Sequence, residues 1–258
     1  MGNKEKESKD RLEKIFDFIQ KNGFSSPDKI APVIGVSAIT IRRDLKLLKS
    51  EGLIKQVYGG VVPLIKNIVD APVSWRMTRD VERKKKIAEY AASLVKKNET
   101  LMIDAGSTCH FLCESLPEDK NLRVITHSIE NVNVLKNKKG IEVICPGGIL
   151  NAKLGAFYGS STETELAFFF ADKSFIGSSG ISIMMGCVNS FVFETKIKMI
   201  MNTQAKESYI LADSSKFEVS GYTSNIPISS IKRIITNSVS PARIKLFKDK
   251  NVEIIVAE

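Results

Sequence analysis

The residues best suited to chemistry stand in short polar runs, each placed directly after an apolar, β-prone run. Asp104-Ala-Gly-Ser-Thr108 follows Leu101–Ile103, and Thr126-His127-Ser128 closes a run from Val124. Gly147-Gly148 follows Ile141–Cys145, Gly177-Ser-Ser-Gly180 follows Ser174–Ile176, and Asp213-Ser-Ser-Lys-Phe217 follows Tyr209–Leu211. Small residues let a backbone approach a ligand closely. Ser107, Thr108 and the free amides of a helix opening there can donate to a phosphate, helped by the helix dipole. Lys216 is the one cation among these runs. Such a loop serves equally as a bare strand-to-helix turn. Cys109, His110 and Cys113 show no third or fourth ligand at metal spacing, so buried structural thiols, and neither a metal nor a cofactor, are expected.

A second chemistry is written in Gly35–Gly52. Ile41, Leu45 and Leu48 fall at i, i+4 and i+7 and form one narrow apolar stripe. Arg43 lies nearly opposite it, with Lys46 and Ile39 beside it and Thr40 and Arg42 on the flanks. Ser37 is a natural N-cap and Gly52 a natural stop. Cations in the first turns oppose the helix dipole, so Arg42 and Arg43 point to an external anion. The front of a helix lying in the DNA major groove fits that geometry.

These groups need elements to hold them. Leu12, Ile15, Phe16 and Ile19 predict a helix over 10–22. Ser26-Pro27-Asp28 caps a short second helix with Ile30, Val33 and Ile34 inward, although Pro32 falls past its first turn, where the helix must begin later or bend. Gly35-Val36 turns the chain into the basic helix, and the three together read as a helix-turn-helix. Two short β-prone runs flank Gly59-Gly60 and read as a hairpin wing, from which Lys55 and Tyr58 can reach a phosphate backbone. Residues 63–75 hold two prolines and no amphipathic period and read as a linker. The basic run Lys84–Lys86 reads as a solvated face leading into a helix at Ile87–Val95. From residue 100 on, strands and helices alternate, predicting a mainly parallel sheet covered on both faces. The domains are therefore expected at 1–62 (winged helix-turn-helix), 63–75 (linker) and 76–258 (α/β).

At 258 residues the globular chain has room for one large domain or two, and a formal charge of +9 is compatible with a polyanionic partner without establishing one. The charge is +4 over residues 1–62 and +5 over the rest, so the first segment is the more basic per residue. A charged N-terminus and the lack of any long apolar run predict a cytoplasmic protein without membrane attachment.

Residues 10–62 resemble the N-terminal domain of the DeoR family of bacterial transcription regulators. VSAITIRRDLKLLKSEGLI matches that family's recognition-helix signature VSxxTIRRDLxxLxxxGxI, and YGGVV stands where its HGGA wing motif belongs, with Gln56 and Tyr58 replacing the usual Arg and His. The resemblance extends through DAGST at Asp104, the glycine pair at Gly147 and LADSSKF at Leu211–Phe217. It implies a sensor domain with the fold of ribose-phosphate isomerases and CoA transferases, a phosphorylated-sugar effector, operator DNA as partner, and a homo-oligomer (dimer or tetramer). The implied DNA contacts are Ser37, Thr40, Arg42, Arg43, Lys46, Lys49, Lys55 and Tyr58. The implied ligand contacts are Asp104, Gly106, Ser107, Thr108, Gly147, Gly148 and Lys216. The family has Asn where this chain has His127, which either contacts the ligand or is simply packed; Ile181–Phe193 departs most from the family pattern. Two other functions compete: a sugar-phosphate isomerase using Asp104, Glu194 and Lys216 as acid/base groups, and a regulator sensing a protein partner.

Overall fold

The computed structural model describes residues 2–65, 71–217 and 223–257. They divide into two compact units, Met1–Arg79 and Asp80–Glu258.

In the first unit, α1 (Gly2–Asn22), α2 (Pro27–Ile34) and α3 (Ala38–Ser50) precede an antiparallel hairpin of β1 (Ile54–Val57) and β2 (Gly60–Pro63). Ser26 caps α2 by accepting from the Lys29 amide, Pro27 takes the first turn, and Gly35 ends the helix in the left-handed region at φ 79°. Pro32 is carried inside this helix, which starts at Pro27 as the cap signals ask. Ile15, Phe16, Ile19, Ile30, Ile41, Leu45, Leu48, Leu53 and Val61 make the core.

Two expectations are corrected here. The hairpin turns at Tyr58-Gly59, because Val57 pairs with Gly60, and Gly60 belongs to β2. The reason is packing: a Cβ on Gly60 would stand 2.6 Å from the Ser25 carbonyl and 2.9 Å from the Phe24 ring. Ser25 bridges to Val61 as a third, one-residue strand. The stretch 63–75 is not extended throughout. Pro63 ends β2, the Leu64 amide donates to the Leu53 carbonyl at 2.9 Å, and α4 (Val73–Thr78) buries Trp75 edge-on to Phe16 at 5.7 Å. One large aromatic in a six-residue helix leaves no periodic trace. Residues 66–70 of the expected linker lie outside the described residues. Arg79 closes the unit with a bidentate pair to Asp17 at 2.8 and 3.2 Å.

In the second unit, α5 (Val81–Ser93) leads to β3 (Thr100–Ile103), α6 (Ser107–Ser115), β4 (Leu122–Ile125), α7 (Ile129–Leu135) and β5 (Ile141–Ile144). A hairpin of β6 (Ile149–Asn151) and β7 (Ala156–Tyr158) follows, then α8 (Ser160–Ala167) and β8 (Ala171–Gly177). Next come β9 (Gly180–Ser182), β10 (Gly186–Asn189), α9 (Glu194–Thr203), β11 (Ala205–Leu211) and β12 (Thr223–Ile226). β13 (Arg233–Thr236), α10 (Pro241–Lys248) and β14 (Glu253–Val256) complete it. The main sheet runs β14-β13-β11-β8-β3-β4-β5, all parallel. β12-β10-β9 form a small antiparallel sheet of their own.

Buried parallel strands are apolar on both faces, and here the carboxyl-terminal halves of the central strands β3, β4, β8 and β11 follow that rule while their starts carry polar residues. Leu101, Ile103, Val124, Phe175 and Leu211 face a core with Ile87, Ala91, Leu112 and Leu135 of α5, α6 and α7. Met102, Ile125, Ile176, Ile210 and Ile234 face the other way, onto Leu166, Ile197, Met201 and Phe247 of α8, α9 and α10. Within α5, Lys84 is buried, so the basic run is not wholly a solvated face. The helix also starts six residues before the expected Ile87. No helix among the described residues is long and apolar enough to cross a membrane.

The order of strands decides where a ligand can sit. From β3 the chain builds outward through β4 to β5, then returns to β8 on the other side and builds through β11 to β14. β3 and β8 therefore flank a topological switch point, beyond whose carboxyl ends open α/β sheets bind ligands.

Candidate functional site

In the first unit, Ser37 caps α3: its Oγ accepts from the Thr40 amide at 3.2 Å and lies 3.0 Å from the Thr40 hydroxyl. The apolar stripe buries Ile41, Leu45 and Leu48, leaving Arg42, Arg43, Lys46 and Lys49 exposed. Between α3 and the wing lies a cleft of about 390 Å³ lined by Arg42, Lys46, Lys49, Gln56 and Gly59. Lys49 Nζ donates to Gln56 Oε1 at 3.1 Å, which ties helix to wing. Lys55 and Tyr58 are exposed on the hairpin. All eight expected contacts thus lie on α3, its cap and the hairpin.

Asp44 is the residue on this helix that the sequence reading passed over. It is buried, and Arg11 of α1 grips it bidentately at 2.6 and 3.2 Å. Its partner's guanidinium is held above its ordinary pKa by that hydrogen bond, against a partial desolvation that pulls it down. The signal was present: three residues after Ile41, an acid sits on the inward side of a helix whose outward side is basic. Removing Arg11 would strand the buried Asp44 carboxylate, at a cost of up to about 3–5 kcal/mol, whereas Arg11, itself partly exposed, is left with access to water when Asp44 is removed. The pair sets the roll of α3, and with it the direction of the basic face.

In the second unit the switch point holds a buried ionic cluster. Asp104 follows β3 directly, and its carboxylate accepts from the Ala105 amide at 2.8 Å and the Gly177 amide at 3.0 Å. Lys198 of α9 makes a buried ion pair with the same carboxylate, donates to the Gly177 carbonyl at 3.0 Å, and stands 3.9 Å from Glu194 Oε1. Burial pulls the Lys198 pKa down, but Asp104 and Glu194 outweigh it and the ammonium is kept. Asp104 is therefore committed inward. It fixes the β3 and β8 ends relative to α9, and it does not stand free as a ligand contact.

Beyond Asp104 the chain enters α6 through Gly106, at φ 117° and with no side-chain cap, so the first amides of α6 are unclaimed by a capping side chain. Ser107 and Thr108 are its first two residues. His127 is buried, with Nε2 3.7 Å from Asp104 Oδ1. Burial, reinforced by Lys198 and opposed by Asp104, pushes its pKa down to about 4, so the ring is neutral. Asn131 of α7 donates through Nδ2 to the Asp104 carbonyl at 2.9 Å and to Thr126 Oγ1 at 3.0 Å. His127 Nδ1 and Asn131 Oδ1 are buried and have no hydrogen-bond partner among the described residues. Sequence reasoning missed Asn131 and Lys198; the trace of the second was a lysine four residues after Glu194, turned toward the apolar face of α9.

Beside this loop, Tyr158 stacks on Phe193 at 4.6 Å and Phe193 on Phe191 at 5.5 Å, with Lys153 Nζ 5.4 Å from the Phe191 ring centre. Phe191 and Phe193 pack on Ala105, Leu154 and Ala156, so this segment walls the Asp104 loop.

The structure does not bring every expected ligand contact together. Gly147 and Gly148 are placed against α8: the Thr162 hydroxyl donates to the Gly147 carbonyl at 2.7 Å, and a Cβ on Gly148 would stand 2.1 Å from that hydroxyl. Lys216 ends a single 3-10 turn, Ser214–Lys216, whose cap Asp213 accepts from the Ser215 amide at 2.9 Å. At the level of the strand ends, β5 and β11, which lead to Gly147 and Lys216, are four strands apart, roughly 19 Å at the spacing of paired strands.

Comparison with known proteins agrees in both units. The family model of the DeoR-like helix-turn-helix domain matches residues 11–66, and that of the DeoR C terminal sensor domain matches residues 79–238. The HTH-type transcriptional regulator IolR of Bacillus subtilis is 31% identical, covering 88% of this chain and 90% of its own. The HTH-type transcriptional repressor GlcR of the same organism is 31% identical over 96% of both chains. The glycerol-3-phosphate regulon repressor of Escherichia coli is 26% identical over 93% of this chain and 95% of its own.

Proposed function

The chain belongs to the DeoR family of DNA-binding transcriptional regulators, and from that premise we propose that it represses genes of carbohydrate metabolism under the control of a phosphorylated sugar. Arg42, Arg43 and Lys46 read base edges in the major groove, with Ser37 and Thr40 at the groove wall, while Lys49, Lys55 and Tyr58 hold phosphates. The protein acts as a homo-oligomer on paired half-sites.

The observation that carries the effector reading is the uncapped start of α6 at the switch point, set beside unpartnered polar atoms on His127 and Asn131. Amides of Ser107 and Thr108, with their hydroxyls, suit a phosphate. Asn131 Oδ1 accepts only, and the neutral His127 ring offers one more hydrogen-bonding atom, so sugar hydroxyls complete the pair. Gly147, Gly148 and Lys216 would serve at the rim, on one side or the other of a single small ligand. Two relatives are named as repressors, and one of those names carries a phosphorylated three-carbon polyol.

On this reading the effector is bound and not turned over: Asp104 is engaged by Lys198, and Lys216 follows a strand two places from β3. The ligand acts through the difference in its affinity for DNA-competent and incompetent states, and that difference bounds the regulation it can exert.

The test is a titration of operator DNA with the full-length protein, with and without glucose, fructose, glucosamine and pentose phosphates. One phosphate should weaken the complex at least fivefold, without being converted. Salt-sensitive binding that no phosphate alters would overturn the effector half of the proposal and favour a protein partner as the signal.

A further inference from the structure

Two apolar residues of α3 are exposed, Leu47 at 46% and, far more fully, Ile39, which contradicts the pattern of its helix. Ile39 is 77% exposed. At 100° per residue it lies within about 30° of the direction opposite Ile41, Leu45 and Leu48. It therefore occupies the middle of the outward face, between Arg42 and Arg43. A β-branched residue is a weaker helix former than the Ala, Lys or Gln that a solvated position tolerates. Nor does it serve the cap, which Ser37 and Thr40 make between them.

Its surroundings say what should cover it. Beside it run the exposed cations Arg42, Arg43 and Lys46 of the same face, and Ile39 also borders a shallow cleft with Ser8 and Arg11 of α1, Arg43 and Leu47; a polyanion is complementary to that cationic face. In the major groove of a duplex the one apolar feature of a base-pair edge is the 5-methyl group of thymine. Recognition helices present their N-terminal residues to base edges, and Ile39 is the second residue of α3. We propose that Ile39 is a specificity-determining residue that packs on a thymine methyl group in each half-site, flanked by the arginines that read neighbouring bases. This rests on the DNA-binding reading and adds to it a base identity that charge alone cannot select.

The experiment selects binding sites from a random-sequence duplex library with the full-length protein and with Ile39→Ala and Ile39→Gln. The wild type enriches a site with thymine fixed at one position per half-site. Both variants lose that preference while keeping the others. Replacing that thymine by deoxyuridine, which removes only the methyl, then weakens the wild type about fourfold, the scale of burying one methyl-sized group. Ile39→Ala binds both duplexes alike. The wild-type penalty stays constant with salt while overall affinity falls, because a methyl contact releases no counterions. Alanine at this exposed site favours the helix, so an unchanged unfolding temperature separates lost recognition from lost folding. An Ile39→Ala consensus identical to the wild type, or a deoxyuridine penalty that persists in that variant, overturns the proposal. A wild type that enriches no sequence at all overturns the DNA-binding premise instead, a different result from an enriched site that ignores Ile39.

Discussion

His127 shows how much a single buried group can dictate. Its folded pKa of about 4 lies below the ordinary value near 6.5, mainly because burial penalises the charged ring. Between those values the unfolded chain binds the extra proton and the folded one does not, so stability rises with pH across that window. The contribution is complete above about pH 6.5 and is lost as pH falls toward 4, to the extent of about 3 kcal/mol. Urea unfolding of the wild type and of His127→Asn at pH 4.5 and 7.5 checks this. The variant should lose most of the pH slope; an equal slope in both proteins would mean that the ring is solvated and the Asp104 cluster open. Lys198 works in the opposite sense, since its acidic neighbours keep it charged throughout. A neutral ring and a fixed ammonium on one carboxylate make the switch point polar without a net loose charge.

At the scale of elements, glycines separate positions that need close packing from positions that need freedom. Gly60→Ala drives a Cβ into the Ser25 carbonyl and the Phe24 ring, whereas Gly147 has nothing within 4 Å of an added Cβ. We expect Gly60→Ala to cost about 1–3 kcal/mol, the range for overpacking, and Gly147→Ala to stay within about 0.5 kcal/mol. Denaturant midpoints of the two variants check the pair, and equal losses would refute the packing of wing on the α1–α2 turn. The same contrast explains what was legible beforehand. Caps and stops at Ser26, Gly35 and Ser37 are local chemistry, and they place α2 and α3 almost to the residue. The core strands were visible as apolar runs for the same reason. The turn position in the wing was not, because it depends on Phe24 and Ser25, which pack on it from another element. Asp44, Lys198 and Asn131 were hidden similarly. Each looks like an ordinary surface residue until its partner, from 27 to 94 positions away, is known. The small sheet β12-β10-β9 and the hairpin β6-β7 were unread because, unlike core strands of the same length, β6, β9, β10 and β12 mix Gly, Ser, Thr or Asn with their apolar residues and make no continuous apolar run.

At the scale of the whole molecule, two compact units, each with its own core, predict two unfolding events. Calorimetry of the full chain should resolve two transitions. A phosphorylated sugar at 100 times its dissociation constant should stabilise only the larger unit, by about 2.7 kcal/mol, while duplex DNA should stabilise only the smaller one. If the sugar phosphate moved both transitions equally, effector binding would not be confined to the Asp104 unit.

The switch point also has a history within each molecule. β3 joins β4 through the α6 crossover, but it meets β8 only after some seventy further residues have been made, and Asp104 and Lys198 stand 94 positions apart. Pairings of that span form late, since the long loop must close before they yield anything. During synthesis at about 5–20 residues per second, the winged helix can fold while the carboxylate of Asp104 still lacks its ammonium. A chain cut short before Lys198 would therefore carry a finished winged helix and a second unit with an unpaired acid at its centre, and on the reading proposed above such a product would hold DNA without answering an effector.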